Sequence, residues 1–259
     1  MRIKQSLCYP MYQPMPHSLD ALFAHTARLG YAAVEMWGRG GDFLEVVALA
    51  KQHGLVIASM GGHDSLTVGL NDPAQHQRIT AELEASLAVA AQHGIPSLIC
   101  LSGNLLPGQS EEAAIASSVT LLKRVAPLAE RLGINLNLEM LNTRVDHPGY
   151  QCNSLASAMA VIKQVGSPRV KLLFDIYHVQ IMHGDIISHL TENIQHIGHF
   201  HTAGNPGRRD LDDDQELNYR AICRAIAATP YAGYVGHEFR PKGEPLAAIA
   251  EAFRTCDQG

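Results

Sequence analysis

The chain has 259 residues, of which 46% are hydrophobic and 17% are charged, as in an ordinary soluble globular protein. Its formal net charge is -5 and its 20 Lys and Arg residues form no basic run, so we expect no nucleic-acid partner. No apolar stretch reaches the ~18 residues of a spanning helix, and the N-terminus lacks a signal-peptide pattern, so we expect no membrane partner. The scattered cysteines predict reduced thiols in a cytoplasmic protein.

Short β-like runs alternate with longer helical runs along the whole chain. The predicted strands are Ile3–Tyr9, Ala32–Trp37, Leu55–Met60, Ser97–Ser102, Ile134–Met140, Val170–Ile176, His196–Thr202 and Tyr234–Phe239. The predicted helices are His17–Leu29, Phe43–His53, Pro73–His93, Glu111–Leu132, Leu155–Val165, Ile186–Gln195, Tyr219–Ala228 and Pro245–Cys256. Several of these helices are followed by a glycine, the usual residue just beyond a helix C-terminus.

This alternation predicts the α/β fold class and a closed (β/α)8 TIM barrel, because eight strand–helix units fit the length of such a barrel. An open, doubly wound sheet is the alternative. It usually carries a Gly-rich phosphate turn after its first strand, and Cys8-Tyr9-Pro10-Met11 is not one. No linker or low-complexity tract divides the chain, so we expect residues 1–259 to form a single domain.

The fifth predicted strand alternates apolar and polar residues. Successive side chains of a strand point to opposite faces, so its apolar residues should pack under the helices. Asn135, Asn137 and Glu139 should then point into the barrel axis. Polar groups in a core are costly unless something satisfies them, so this pattern indicates a polar site at the barrel mouth.

Other strands also end on metal-ligand residue types: Asp175 in the sixth, His201 in the seventh and Glu238 in the eighth. The C-terminal strand ends form the active-site face of such barrels, so these residues should converge with Glu139. Carboxylates that lie so close together require a cation or captured protons. We therefore predict one divalent metal, with Mn²⁺ or Mg²⁺ favoured by the oxygen-rich set and Co²⁺ or Zn²⁺ as alternatives. Glu35, at the end of the second strand, is a further candidate for this cluster and for substrate contact.

Several other residues near strand ends are candidates for substrate contact. His178 follows the sixth strand, and His63 and Asn104 follow the third and fourth. Arg208 lies in a Gly- and Pro-marked loop and suits an anion clamp, because guanidinium binds carboxylates through two hydrogen bonds; Arg144 is a second candidate for this contact. The alternative for each is a solvated loop residue.

Two interpretations concern packing. His199 and His237 are read as buried histidines whose ring nitrogens are hydrogen-bonded within the core. Trp37, the single tryptophan, either walls the pocket or packs against the barrel rim.

Blocks in the C-terminal half resemble hydroxypyruvate isomerases, a family within the xylose isomerase-like superfamily of sugar isomerases and epimerases. They include Asn137-Leu138-Glu139-Met140-Leu141-Asn142-Thr143-Arg144, Phe174-Asp175-Ile176-Tyr177-His178, Pro206-Gly207-Arg208 and Glu238-Phe239-Arg240-Pro241. The N-terminal half resembles the broader superfamily.

The resemblance implies a metal at Glu139, Asp175, His201 and Glu238, and it implies that Glu139 and Glu238 also form the acid/base pair. His178 and Arg208 match substrate-contacting positions. One position departs from the family: hydroxypyruvate isomerases often carry Gln where this chain has His201, whereas ketose 3-epimerases carry His there.

We therefore expect a metal-dependent isomerase that acts on a small hydroxy-carbonyl compound, of the hydroxypyruvate/tartronate-semialdehyde type, through a cis-enediolate and glutamate-mediated proton transfer. The partner would be a small keto acid or sugar. A ketose 3-epimerase of the tagatose/psicose type is the alternative. A metal-dependent endonuclease and a non-catalytic sugar-binding barrel are two further alternatives. A homo-oligomer is expected by analogy alone.

Overall fold

The computed structural model describes residues 3–258, in which eight parallel strands close into a barrel in sequence order. The strands are β1 (Lys4–Cys8), β2 (Ala33–Glu35), β3 (Val56–Gly61), β4 (Ser97–Cys100), β5 (Asn135–Glu139), β6 (Val170–Asp175), β7 (Ile197–Thr202) and β8 (Tyr234–His237). The helices are α1 (Leu19–Leu29), α2 (Phe43–Gln52), α3 (His76–His93), α4 (Glu111–Leu132), α5 (Leu155–Val165), α6 (Ile176–Met182), α7 (Ile186–Asn193), α8 (Tyr219–Ala227) and α9 (Pro245–Cys256). This arrangement confirms the predicted TIM barrel.

The helix boundaries follow the local chemistry of the chain. α4, α5 and α9 have the predicted bounds. The side chain of Ser154 accepts a hydrogen bond from Ser157 N–H and so caps the start of α5. α1 ends where Gly30 adopts a φ of 100°, a left-handed conformation that glycine takes without a Cβ penalty. None of the helices among residues 3–258 is long and apolar enough to cross a membrane.

The sequence analysis missed one helix, α6. Asp175 ends β6, and its Oδ1 accepts hydrogen bonds from Tyr177 N–H (2.8 Å) and His178 N–H (3.4 Å), so it also caps α6. Strand and helix therefore share a boundary with no turn residue between them, and the sequence there reads as an apolar run.

The predicted alternation in β5 holds, with one correction. Leu136 and Leu138 are buried in the hydrophobic core beneath the helices, and Asn137 is fully buried. Asn137 faces Gly198, where a Cβ would overlap with its Oδ1, so the glycine makes room for the amide inside the barrel. Asn135, however, does not contribute to the barrel mouth. It opens β5 at the opposite, N-terminal end, where its Oδ1 accepts a hydrogen bond from Arg169 Nη1 at 3.2 Å.

Candidate metal centre

Four of the predicted residues meet at the C-terminal mouth of the barrel. Glu139 ends β5, Asp175 ends β6, His201 lies near the end of β7 and Glu238 directly follows β8. One ligand atom from each lies within 4.8 Å of the ligand atoms of the other three, and all four residues are buried. Register explains part of this convergence, because Asp175 is paired with His201 across the β6–β7 ladder.

The neighbours of Asp175 direct one carboxylate oxygen towards the cluster. Its Oδ1 caps α6, as described above. Its Oδ2 lies 3.5 Å from His178 Nε2 and 3.8 Å from Arg208 Nη2. The helix cap thus orients the carboxylate and leaves Oδ2 facing the other site residues.

Glu238 is held by contacts to both of its oxygens. Its Oε1 accepts a hydrogen bond from Trp37 Nε1 at 2.8 Å and a weaker one from Cys8 Sγ at 3.8 Å. Its Oε2 accepts a hydrogen bond from Arg208 Nη2 at 2.5 Å and lies 3.3 Å from His201 Nδ1. This carboxylate is therefore fixed at the boundary between the buried cluster and the cavity above it.

His201 has one paired ring nitrogen and one that faces the carboxylates. Its Nε2 lies 3.0 Å from Glu35 Oε2. Its Nδ1 lies 3.8 Å from Glu139 Oε1 and 3.3 Å from Glu238 Oε2, but it has no hydrogen-bond partner in the described part of the chain. A buried nitrogen without a partner, surrounded by carboxylate oxygens, fits a metal ligand.

The electrostatics of the cluster also fit a bound cation. Burial raises the pKa of Asp175 to about 7 despite the opposing charge of Arg208, and Glu238 adds to the rise. Burial opposes ionisation of Glu238 as well, but Arg208 and His201 hold its pKa well below the usual range. For His201, burial is outweighed by Glu238 and Glu35, which raise its pKa well above the usual value. Three carboxylates and one imidazole make an oxygen-rich donor set of the kind that binds divalent cations.

A cavity of about 390 Å³ opens above this cluster. Glu139, Glu238 and Arg208 form part of its floor and wall. The remaining lining combines apolar and polar residues, and it consists of Trp37, Gly61, His63, Asp64, Ser65, Leu66, Ile99, Leu101, Leu141, His147 and Arg240. A concave, partly apolar cavity with a few converging charged groups is typical of small-molecule sites.

Three of the other predicted contact residues lie at or beside the centre. Arg208, which has a left-handed φ of 56°, places its guanidinium on Glu238 and 5.6 Å from the ring of Tyr177. His178 is fully buried, and its Nδ1 accepts a hydrogen bond from Asn142 N–H at 3.2 Å. His63 lines the cavity, but its Nε2 accepts a hydrogen bond from Leu101 N–H, so that nitrogen is already paired.

The structure places the other three away from the cavity. The Nη1 of Arg144 donates a hydrogen bond to Ile181 O at 2.8 Å. Asn104 forms an isolated β-bridge with Tyr150. Glu35 lies deeper in the barrel than the cavity floor, behind His201. None of these three lines the cavity, so a direct role in substrate binding does not follow from their positions.

Sequence reasoning missed several contacts at the site. Cys8 and Trp37 both contact Glu238, and His147 and Arg240 line the cavity. Cys8 ends β1, so the rule that C-terminal strand ends face the active site identifies it. The ring of Trp37 is half-exposed and lines the cavity. Of its two interpretations, the pocket wall is therefore the one that the structure supports.

Comparison with known proteins assigns the family. A profile described as "Xylose isomerase-like TIM barrel" matches residues 23–257. The chain belongs to this family. It is 30% identical over 170 residues to the hydroxypyruvate isomerase of Escherichia coli, covering 66% of this chain and 65% of the relative. It is 34% identical over 152 residues to the 2-oxo-tetronate isomerase of Cupriavidus necator, covering 58% of each chain. These names confirm the resemblance and the prediction of an enzyme of the isomerase or epimerase class.

Solved structures share the fold at lower identity. An AP endonuclease, family 2, from Brucella melitensis superposes with a TM-score of 0.85 at 23% identity, covering 96% of this chain and 97% of the other. A D-psicose 3-epimerase from Clostridium cellulolyticum H10, solved with D-tagatose, superposes with a TM-score of 0.76 at 20% identity, covering 99% and 92%. At this identity the likeness supports the barrel fold alone.

Proposed function

We propose that this chain is a metal-dependent isomerase of small hydroxy-carbonyl acids, of the hydroxypyruvate/tartronate-semialdehyde type. The observation that carries the proposal is the convergence of Glu139, Asp175, His201 and Glu238 at the C-terminal mouth of the barrel, where Glu139 and Glu238 also line a cavity. The family membership and the two named isomerase relatives support the same reaction class.

The same four residues are the proposed metal ligands, with Mn²⁺ or Mg²⁺ as the cation. The cation would supply Lewis-acid stabilisation of the negative charge that develops on substrate oxygens. Asp175 and His201 are held by α6 and by Glu35, so they are suited to a fixed ligand role. Glu139 and Glu238 also line the cavity, where a carboxylate reaches both the ligand position and a substrate carbon.

Glu139 and Glu238 are the proposed acid/base pair. One removes the proton from the hydroxyl-bearing carbon next to the carbonyl group, which gives an enediolate. A carboxyl group then protonates the former carbonyl carbon, and the hydroxyl proton passes to the former carbonyl oxygen. Trp37, Arg208 and His201 contact Glu238 and fix its position during this transfer. Return of the proton to the same carbon from the opposite face would give epimerisation instead.

Arg208 is the proposed anchor for the substrate carboxylate. Its side chain is largely buried at the cavity wall, and Glu238 and Asp175 raise its pKa above the usual value, although burial opposes this. A permanently charged planar group at the wall of a reactive cavity suits a carboxylate, which it can bind through two hydrogen bonds. This placement favours a keto acid over a neutral sugar.

A ketose 3-epimerase is the second candidate. Two observations support it: a histidine, His201, stands in the ligand set, and the cavity of about 390 Å³ has room for more than three carbons. The endonuclease alternative is disfavoured by the net charge of -5, since duplex recognition uses a basic surface.

Deuterium incorporation tests the proposal. Chelator-treated protein is reconstituted with Mg²⁺ in D₂O and incubated separately with hydroxypyruvate, a four-carbon 2-oxo acid and a ketohexose, and the products are analysed by NMR. Isomer formation with deuterium in a keto acid, lost again without metal, is the expected result. Epimer formed from the ketohexose alone would establish the second candidate. If none of the three is converted to an isomer or epimer and no deuterium enters any of them, proton transfer between substrate carbons is wrong.

A further inference from the structure

A buried polar layer lies directly beneath the metal centre. It consists of Glu35 at the end of β2, Ser6 on β1, and His199 and His201 on β7. All four residues are at most 2% exposed. Glu35, Ser6 and His199 do not line the cavity, so these three side chains have no direct contact with it.

Both oxygens of Glu35 are engaged within this layer. Oε2 lies 2.9 Å from His199 Nε2 and 3.0 Å from His201 Nε2. Oε1 accepts a hydrogen bond from Ser6 Oγ. A buried carboxylate needs several donors to remain ionised, and two imidazoles and a hydroxyl provide them.

The bond to Glu35 determines which nitrogen of His201 carries a proton. An ionised carboxylate only accepts hydrogen bonds, so the proton of a neutral His201 ring resides on Nε2. The lone pair is then on Nδ1, the nitrogen that faces Glu139 and Glu238. Glu35 thereby selects the tautomer and the ring orientation that a metal ligand requires.

The neighbouring strand is adapted to this arrangement. Gly236 is paired with His201 across the β7–β8 ladder. A Cβ at Gly236 would overlap with Glu35 Oε1 and would lie 3.0 Å from His201 Cδ2. Because Glu35 is held by three donors, its carboxylate cannot move aside easily. Glycine is thus required here by the space that the Glu35–His201 pair occupies.

We propose that Glu35 is a positioning residue for the metal centre, which acts by holding His201 with Nδ1 directed at the ligand cluster. The proposal rests on the metal site put forward under the proposed function. Glu35, His199 and His201 also form a cluster of metal-ligand types, so a second cation bound by Glu35 itself is the competing hypothesis. The three hydrogen bonds to Glu35 favour the positioning role, because they engage both of its oxygens.

Cobalt binding separates these hypotheses without reference to turnover. Full-length protein is stripped with chelator and titrated with Co²⁺, and the stoichiometry, the affinity and the visible absorption bands are recorded. Wild type and Glu35→Gln are compared with Gly236→Ala, which leaves every candidate ligand in place. His76→Gln is the control, since it removes a buried, hydrogen-bonded imidazole that pairs with Ser117 away from the centre.

We expect wild type and His76→Gln to bind one Co²⁺ per chain with the same spectrum. Glu35→Gln should bind it about 10- to 100-fold more weakly, as is usual for the loss of a hydrogen-bonded partner of a ligand. Its bands at saturation should be shifted, because the His201 ring is no longer held. A partly unfolded variant would lose intensity without a shift of the bands. Gly236→Ala should change affinity and spectrum in the same direction, and it provides the test if Glu35→Gln does not fold.

Three outcomes overturn the proposal. Unchanged affinity and spectrum in folded Glu35→Gln would show that His201 needs no such support. Two Co²⁺ per wild-type chain, with one lost in Glu35→Gln, would make Glu35 a ligand in its own right. A wild-type chain that binds no Co²⁺ would remove the metal centre itself, and that result, unlike the other two, also contradicts the proposed function.

Discussion

The two sides of the barrel mouth differ in chemistry. The side built by β5 to β8 carries the four candidate ligands and Arg208, whereas the apolar side, formed by β3, β4 and the residues that follow them, contributes Leu66, Ile99 and Leu101 together with the polar His63, Asp64 and Ser65. The charged side has the proposed acid/base pair, whereas Leu66, Ile99 and Leu101 can only contact the body of a substrate. Substitutions of the acid/base pair and of these three residues should therefore separate effects on kcat from effects on KM.

The largest effect is expected for the proposed acid/base pair on the charged side. Glu139→Gln and Glu238→Gln should each lower kcat about 10²- to 10⁴-fold, the usual contribution of a positioned general acid or base. Steady-state kinetics with the substrate identified by deuterium incorporation provide the measurement, and circular dichroism checks the fold. Turnover within about threefold of wild type in both variants would disprove their assigned roles.

A smaller effect is expected for the proposed anion anchor. Arg208→Lys keeps the charge but loses the planar pair of donors, so KM for a keto acid should rise about 10- to 100-fold, as expected for loss of a hydrogen bond between charged groups. Arg144→Lys is the matched control, because Arg144 donates to Ile181 O outside the cavity. Equal effects of the two substitutions would contradict the assignment of the anchor to Arg208.

On the apolar side, Leu101→Ala should raise KM roughly tenfold and leave kcat nearly unchanged, since a few methylene groups in a pocket contribute on this scale. Leu105→Ala is the control, because Leu105 is 46% exposed and does not line the cavity. Initial-rate kinetics over a range of substrate concentrations distinguish the two parameters. A main effect on kcat would mean that the apolar side also positions the reacting carbons.

The smallest effect is a pH dependence of stability that comes from His63, which follows β3 on the apolar side. Burial lowers the pKa of His63 below its usual value of about 6.5. Below about pH 6.5 the unfolded state therefore binds more protons than the folded state, and the free energy of unfolding falls with decreasing pH by at most about 1.4 kcal/mol per unit from this group. This contribution is fully present above that pH.

Urea unfolding of metal-free protein at about pH 7.5 and about pH 5.5 measures this contribution. His63→Gln should lose less stability than wild type between the two conditions, because Gln does not titrate and its amide oxygen can still accept the hydrogen bond from Leu101 N–H. An identical loss in both proteins would show that His63 does not titrate as described.

Much of the charged side was predictable from sequence. The strict alternation in β5 indicates which residues point inward, and Asp175 and Glu238 follow directly from hydrophobic runs that read as strands. Carboxylates at the ends of consecutive parallel strands have to lie near one another in a barrel. Their convergence is therefore a consequence of the fold class, which the strand–helix alternation already indicates.

The roles of Glu35, Arg144 and Asn104 were harder to predict. Glu35 ends its strand as Glu139 does, but the strands of a barrel are staggered and tilted, so equivalent positions lie at different depths. β2 is also only three residues long, and its pairing with β3 shifts between Val34 and Glu35. Arg144 and Asn104 lie on loops, whose path depends on contacts far apart in sequence. The spacing of residues at strand ends therefore indicates neither the depth of Glu35 nor the path of these two loops.

Locating manganese in crystals tests the proposed metal centre most directly. Crystals of the chain grown or soaked with Mn²⁺ should show one strong anomalous difference peak, surrounded by oxygens of Glu139, Asp175 and Glu238 and by Nδ1 of His201. Full occupancy of manganese at this position is the expected result. A fully soaked crystal without a peak there, with the four side chains ordered and turned away from one another, would contradict it.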